Sequence, residues 1–258
     1  MRKHYLIANW KMNRPPEGAD LFVKAVRAAA SEPSTTVVIA PSFPFIAELA
    51  ASFHGSPVRV GGQSCSTEIR GALTGEVSAA MLHDCGATHI LVGHSERRTL
   101  FGETNEIVAK KLAAVAEASL VPLLCVGESA DVRDRGEVFG FLHEQIASAA
   151  GSLASSDEIV LAYEPIWAIG TGRNATASVV AETVASIREA LRASWPERIS
   201  SNVSVLYGGS VTPENIDALW STGAIDGFLV GGASLDSDRF RASLHGMRSG
   251  KVSSRTAS

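Results

Sequence analysis

The chain has 258 residues, 45% of them apolar and 19% charged, and a formal charge of −4, which is ample material for a globular core. The acidic balance argues against nucleic acid as the main partner, because phosphate neutralisation calls for a basic face, but it leaves room for a small anion held locally. Three cysteines, Cys65, Cys85 and Cys125, form no CxxC pair and fit a reducing, cytoplasmic setting.

The opening MRKHYLIANWK is basic, but its apolar run is too short for a signal sequence, and no stretch approaches the length of a membrane span. Strand-like runs follow at YLIAN (5–9), TVVIA (36–40), VRVGG (58–62), THILV (88–92), VPLLC (121–125), IVLAY (159–163), VSVLY (203–207) and DGFLV (226–230). They are rich in Val, Ile and Leu without polar alternation, as parallel strands buried on both faces are. Amphipathic stretches separate them, among them GADLFVKAVRAAA, NEIVAKKLAAVAEA and SVVAETVASIREALRAS. Thr212-Pro213-Glu214 reads as a helix start, a cap followed by proline in the first turn. Eight strands, each followed by a helix, predict an α/β fold, a single (β/α)8 barrel over residues 1–250 with a polar tail at 251–258.

In such a barrel the carboxyl ends of the strands make the active face. Asn9 and Lys11 follow the first strand, His94 the fourth and Glu164 the sixth; Gly208-Gly209-Ser210 and Gly231-Gly232 follow the seventh and eighth. Taken singly, each has an ordinary reading: a solvated strand-end carboxylate, a surface lysine, a loop histidine, tight turns. Together they converge on one mouth. Paired glycines before a helix let backbone N–H groups approach an anion, so Ser210, Gly231 and Gly232 read as a phosphate grip. His94 precedes a helix start at Ser95, whose positive end disfavours a proton on the ring, so a neutral imidazole is expected. Glu164 faces apolar neighbours, so a raised proton affinity is expected. A base, an electrophile and a phosphate grip describe proton abstraction beside a carbonyl.

The motifs ANWKMN (8–13), TGE (74–76), VGHSERR (92–98), CVGE (125–128), AYEPIWAIGTG (162–172), YGGSV (207–211) and DGFLVGGASL (226–235) resemble triosephosphate isomerase along nearly the whole chain. The resemblance implies interconversion of dihydroxyacetone phosphate and D-glyceraldehyde 3-phosphate in glycolysis and gluconeogenesis. It assigns Glu164 as the proton shuttle between C1 and C2, a pairing with neutral histidine for which that family is the standard example. It makes His94 the electrophile, Lys11 the balancing charge and Asn9 an aid in polarising the carbonyl. Gly170, Ser210, Gly231 and Gly232 would bind phosphate through their amides, and Glu96 and Cys125 would give support. No metal or organic cofactor is implied.

The resemblance also implies a cytoplasmic homodimer whose third loop, with Thr74 at its key position, reaches a neighbouring active site. Pro165-Ile166-Trp167 and Gly170-Thr171-Gly172 would be the hinges of a mobile lid with Ala168 and Ile169 at its tip. Ser64 stands where Asn or Asp is usual, Leu73 where an aromatic is, Arg173-Asn174 where Lys-Thr is common, and Val132 where Glu is frequent. These departures bear on the dimer and the lid, not on the reaction. Two alternatives remain at this stage: a paralogue acting on a tetrulose phosphate, which the unaltered IGTG disfavours, and a silent phosphate-binding barrel. A Schiff-base aldolase is disfavoured because Glu164, not lysine, ends the sixth strand.

Overall fold

The computed structural model of the chain describes residues 2–30, 34–153, 156, 158–168 and 175–249. The expected tail at 251–258 and most of the expected lid, residues 169–174, lie outside them. The strands are β1 (Tyr5–Asn9), β2 (Thr36–Ala40), β3 (Arg59–Gly62), β4 (His89–Val92), β5 (Val121–Val126), β6 (Val160–Tyr163), β7 (Ser204–Tyr207) and β8 (Gly227–Val230). Each pairs in parallel with its sequence neighbour, and β8 pairs with β1, which closes the barrel. The helices are α1 (Ala19–Ala29), α2 (Ile46–Ser52), α3 (Ala79–Asp84), α4 (Ser95–Phe101), α5 (Asn105–Glu117), α6 (Ala130–Asp134), α7 (Val138–Ala149), α8 (Ala177–Ser194), α9 (Glu197–Ser200), α10 (Ile216–Trp220) and α11 (Ser237–Ser249). The expected (β/α)8 fold is the observed one, with each strand within a residue of its expected limits.

The strands are buried on both faces because successive side chains point to opposite sides, and each side meets a different core. Tyr5, Ile7, Val38, Ala40, Leu91, Leu123, Cys125, Val160, Ala162, Leu206 and Leu229 pack as one cluster inside the barrel. Their strand neighbours, such as Leu6, Ala8, Ile39, Val92, Leu161, Val205 and Phe228, pack outward into the larger cluster with the helices. Fully burying a Val, Leu or Ile side chain contributes about 1.5–3 kcal/mol, so the run of apolar strand residues is what sustains closure.

Local signals set the helix limits. The Thr104, Ser129 and Thr176 hydroxyls accept N–H groups of Ile107, Val132 and Val179, which caps α5, α6 and α8. Gly102 ends α4 in a left-handed conformation, φ 67°. The expected helix start at Thr212 differs: residues 213–215 form a turn and α10 begins at Ile216. Asn215 explains it. Its side chain accepts the Thr212 N–H at 3.0 Å and donates to the Ser210 carbonyl at 2.8 Å, tying the loop after β7 into a tight knot.

β5 and β6 come so close at their carboxyl ends that a side chain at Gly127 has no room: a Cβ there would lie 1.8 Å from the Glu164 carbonyl oxygen. Gly127→Ala is therefore expected to lower unfolding stability by about 1–3 kcal/mol, the usual cost of overpacking. Urea denaturation checks it, and a loss below about 0.5 kcal/mol would contradict this packing.

Candidate active site

The strand carboxyl ends surround a cavity of about 660 Å³. Asn9, Lys11, His94 and Glu164 line it, as do the glycine-rich turns after β7 and β8 through Gly209, Ser210, Gly231 and Gly232. Side chains at or just past the ends of β1, β4 and β6 thus meet across the barrel mouth. Gly170 lies outside the described residues. Thr74 and Leu73, in the loop between β3 and α3, are exposed and do not line the cavity.

Glu164 is buried, 2% exposed, and a carboxylate so placed needs donors. Its Oε1 lies 3.0 Å from His94 Nε2. Its Oε2 accepts the Ser95 backbone N–H at 3.0 Å, at the first residue of α4. The expectation of raised proton affinity is not met in this arrangement. Burial does push the carboxyl up, but the charge and hydrogen bond of His94, the Ser95 amide and the Lys11 charge together hold it below the usual carboxylate range.

His94 caps α4: its Nδ1 accepts the Glu96 N–H at 3.2 Å. Burial, the largest influence, pushes its proton affinity down, but the charge and hydrogen bond of Glu164, with the Glu96 charge, outweigh this and the Lys11 charge and lift it. The downward push found is burial rather than the helix end that was expected, and it does not decide the outcome. The Nδ1 contact requires a lone pair on that nitrogen. The neutral ring with its proton on Nε2, donating to Glu164, meets both contacts at once.

Lys11 has a left-handed backbone, φ 52°, uncommon for a residue with a side chain and costing of order 1–3 kcal/mol. Its surroundings hold it there. Its N–H donates to Asn9 Oδ1 at 3.0 Å, and its carbonyl accepts from Ser42 Oγ at 3.0 Å and Gln63 Nε2 at 2.8 Å. The ammonium pairs with Glu96 at 2.5 Å, so Glu96 supports Lys11 from one side and its own N–H supports His94 from the other. Cys125 is fully buried, and burial pushes its thiol well above the ordinary range, which leaves it a packing group. At Gly209 a Cβ would stand 2.3 Å from the Tyr207 hydroxyl, so only glycine brings this turn to the cavity wall.

Two supporting groups escaped the sequence reading. Gln63 also donates to the Ala40 carbonyl at 2.9 Å, joining the ends of β1 and β2; its signal was a polar residue just past the end of a strand. Glu128, fully buried, accepts through Oε1 from Arg133, the Tyr163 hydroxyl and Trp167 Nε1, the last at 2.8 Å. The Arg133 guanidinium lies over the Trp167 ring, 4.8 Å from its centroid. Trp167 belongs to the expected first hinge, and Ile166–Ala168 form a 3-10 turn. Among the described residues no group of three or more His, Cys, Asp or Glu is placed to hold a metal ion.

The family model for triosephosphate isomerase matches residues 4–246. The chain belongs to the triosephosphate isomerase family. It is 40% identical over 243 residues to the triosephosphate isomerase of Endomicrobium trichonymphae, covering 93% of this chain and 97% of that one. It is 42% identical over 244 residues to that of Cupriavidus necator, covering 94% and 98%. The crystal structure of triosephosphate isomerase from Bartonella henselae superposes with a TM-score of 0.87 at 33% identity, covering 95% of this chain and 99% of that chain.

A carboxyl held low in the folded state stabilises the fold above its unfolded pKa, and that contribution is lost as pH falls through the folded value. The stability difference between the wild type and Glu164→Gln is therefore expected to shift against the wild type as pH drops from 6 to 3. Denaturant titrations at several pH values check this; a difference independent of pH would contradict it.

Proposed function

We propose that the chain interconverts dihydroxyacetone phosphate and D-glyceraldehyde 3-phosphate through an enediolate, with Glu164 as the base. The observation that carries this reading is the meeting of a buried carboxylate, an imidazole 3.0 Å away and a lysine ammonium in one cavity walled by glycine turns. The amides of Gly170, Ser210, Gly231 and Gly232 take the substrate phosphate. The carbonyl oxygen then faces His94 Nε2–H, Lys11 and Asn9. Glu164 removes a proton from the carbon beside that carbonyl, and positive charge at Lys11 and the His94 hydrogen bond stabilise the oxyanion. His94 moves a proton between the two enediolate oxygens, and Glu164 returns its proton to the neighbouring carbon.

To reach carbon, Glu164 has to leave the His94 and Ser95 donors. Those donors are what lower its proton affinity, so leaving them raises it when the base is needed. The presence of Asn9, Lys11, His94 and Glu164 together speaks against a silent phosphate-binding barrel. The relatives' names and the kept Ile169-Gly170-Thr171-Gly172 motif favour the triose over a tetrulose phosphate.

The reading includes a cytoplasmic homodimer built at the active face. Met12, Leu73, Leu100 and Phe101 are exposed large apolar residues in segments following β1, β3 and β4. Beside them a cavity of about 200 Å³, lined by Asn9, Lys11, Gln63 and Glu96 among others, can receive Thr74 of the partner subunit. Among the described residues no helix is long and apolar enough to cross a membrane.

Glu164→Gln is expected to lower kcat by about 10²–10⁴-fold, the range for losing a general base, with KM little changed. Steady-state rates on glyceraldehyde 3-phosphate check it, and an undiminished kcat would remove Glu164 from the mechanism. Leu73→Asp is expected to weaken the dimer at least about tenfold, or about 1.4 kcal/mol. Sedimentation across a dilution series checks that, and an unchanged profile would contradict it.

A further inference from the structure

At the opposite end of the barrel, where the strands begin, lies a second cavity of about 850 Å³. Arg2, Lys3, Arg59 and Glu158 line it, and Glu158, partially buried just before β6, is the one lining carboxylate among the described residues. Three cations against one carboxylate leave two positive charges in a chain whose overall charge is −4. Pairing does not cancel the excess. Lys3 bonds Glu158 at 2.6 Å, and Glu158 also accepts from the Tyr5 hydroxyl. Arg2 reaches Asp226 at 3.3 Å, but that carboxylate already binds Arg188 at 2.7 Å and the Val205 N–H at 2.8 Å. Arg59 has no ion-pair partner among the described residues and stands exposed at the start of β3.

The cavity wall also holds a buried polar atom with no hydrogen-bond partner among the described residues. His89 is 5% exposed; its Nδ1 lies 2.7 Å from the Thr88 hydroxyl, while Nε2 has no hydrogen-bond partner among the described residues. Burial pushes its pKa down to about 4, with the Lys3 and Arg59 charges adding to the effect and Glu158 opposing it. The imidazole is then neutral near pH 7, and the positive charge of the cavity rests on its arginines and lysine.

We propose that this cavity is a second ligand site, on the face opposite the active site, for a small phosphate-bearing dianion. Two excess cationic charges match such a dianion, and a concave cationic site focuses anions more strongly than a flat surface does. Arg59 is the primary contact because it has no competing carboxylate among the described residues, and Lys3 is the second. The site stays open in the proposed dimer, whose apolar residues follow the strands' other ends.

Inorganic phosphate is the probe, and isothermal titration at low salt is the measurement. The wild type is expected to bind two phosphates per chain, one at each end of the barrel. Lys3→Gln combined with Arg59→Gln is expected to lose one of them while keeping the isomerase rate, which reports intact folding. Arg59→Gln alone, at an exposed unpaired residue, is expected to weaken that same event at least tenfold, and guards against a folding defect in the double variant. A single phosphate per chain in the wild type, or two undiminished events in both variants, would overturn the proposal.

Discussion

A carboxylate buried at the mouth of a barrel is tolerable only if donors are waiting for it, and Glu164 has two, the His94 ring and the Ser95 amide. Leaving such a charge uncompensated costs several kcal/mol. Both donors come from the N-terminus of α4, its cap His94 and its first residue Ser95, the latter 69 residues earlier in the chain than Glu164. They meet Glu164 because β4, β5 and β6 are consecutive barrel strands and because Gly127 and Gly208 leave room around it; a Cβ at Gly208 would lie 3.0 Å from Glu164 Cγ. Barrel closure and catalytic placement are therefore one constraint seen from two sides.

The same donors restrain the base. While they bind it, Glu164 is held a weak base, and in the proposed mechanism its strength returns as it moves to a substrate carbon. Lys11 shows the complementary device: a backbone conformation costly in itself is held by Asn9, Ser42 and Gln63, so the ammonium is fixed before any substrate arrives. In the proposed mechanism, preorganised charge at Lys11 and a base that leaves its donors divide the labour within one cavity.

The eight strands were legible because each is a short run of Val, Ile and Leu with no polar break, a pattern set by burial on both faces. The convergence of Asn9, Lys11, His94 and Glu164 was legible from a rule of topology, since all four stand at or just past strand carboxyl ends. The proton affinity of Glu164 was not, because local apolar neighbours point one way and donors from a distant turn decide the other. Glu128 and Gln63 were missed for a related reason: their roles consist of contacts to Trp167, Arg133, Lys11 and Ala40 that only the folded chain brings together. The turn at 213–215 hid behind a good capping sequence, because the Asn215 side chain competes for the same backbone groups.

In the proposed reaction a carbon-bound proton leaves the sugar for Glu164 and comes back through an enediolate. Turnover of glyceraldehyde 3-phosphate in deuterium oxide, followed by proton NMR of the ketose formed, tests it most directly. Deuterium is expected at the carbon beside the new carbonyl, delivered from a carboxyl that has exchanged with solvent. Full conversion with no deuterium at that carbon, as a direct hydride shift would give, would contradict it.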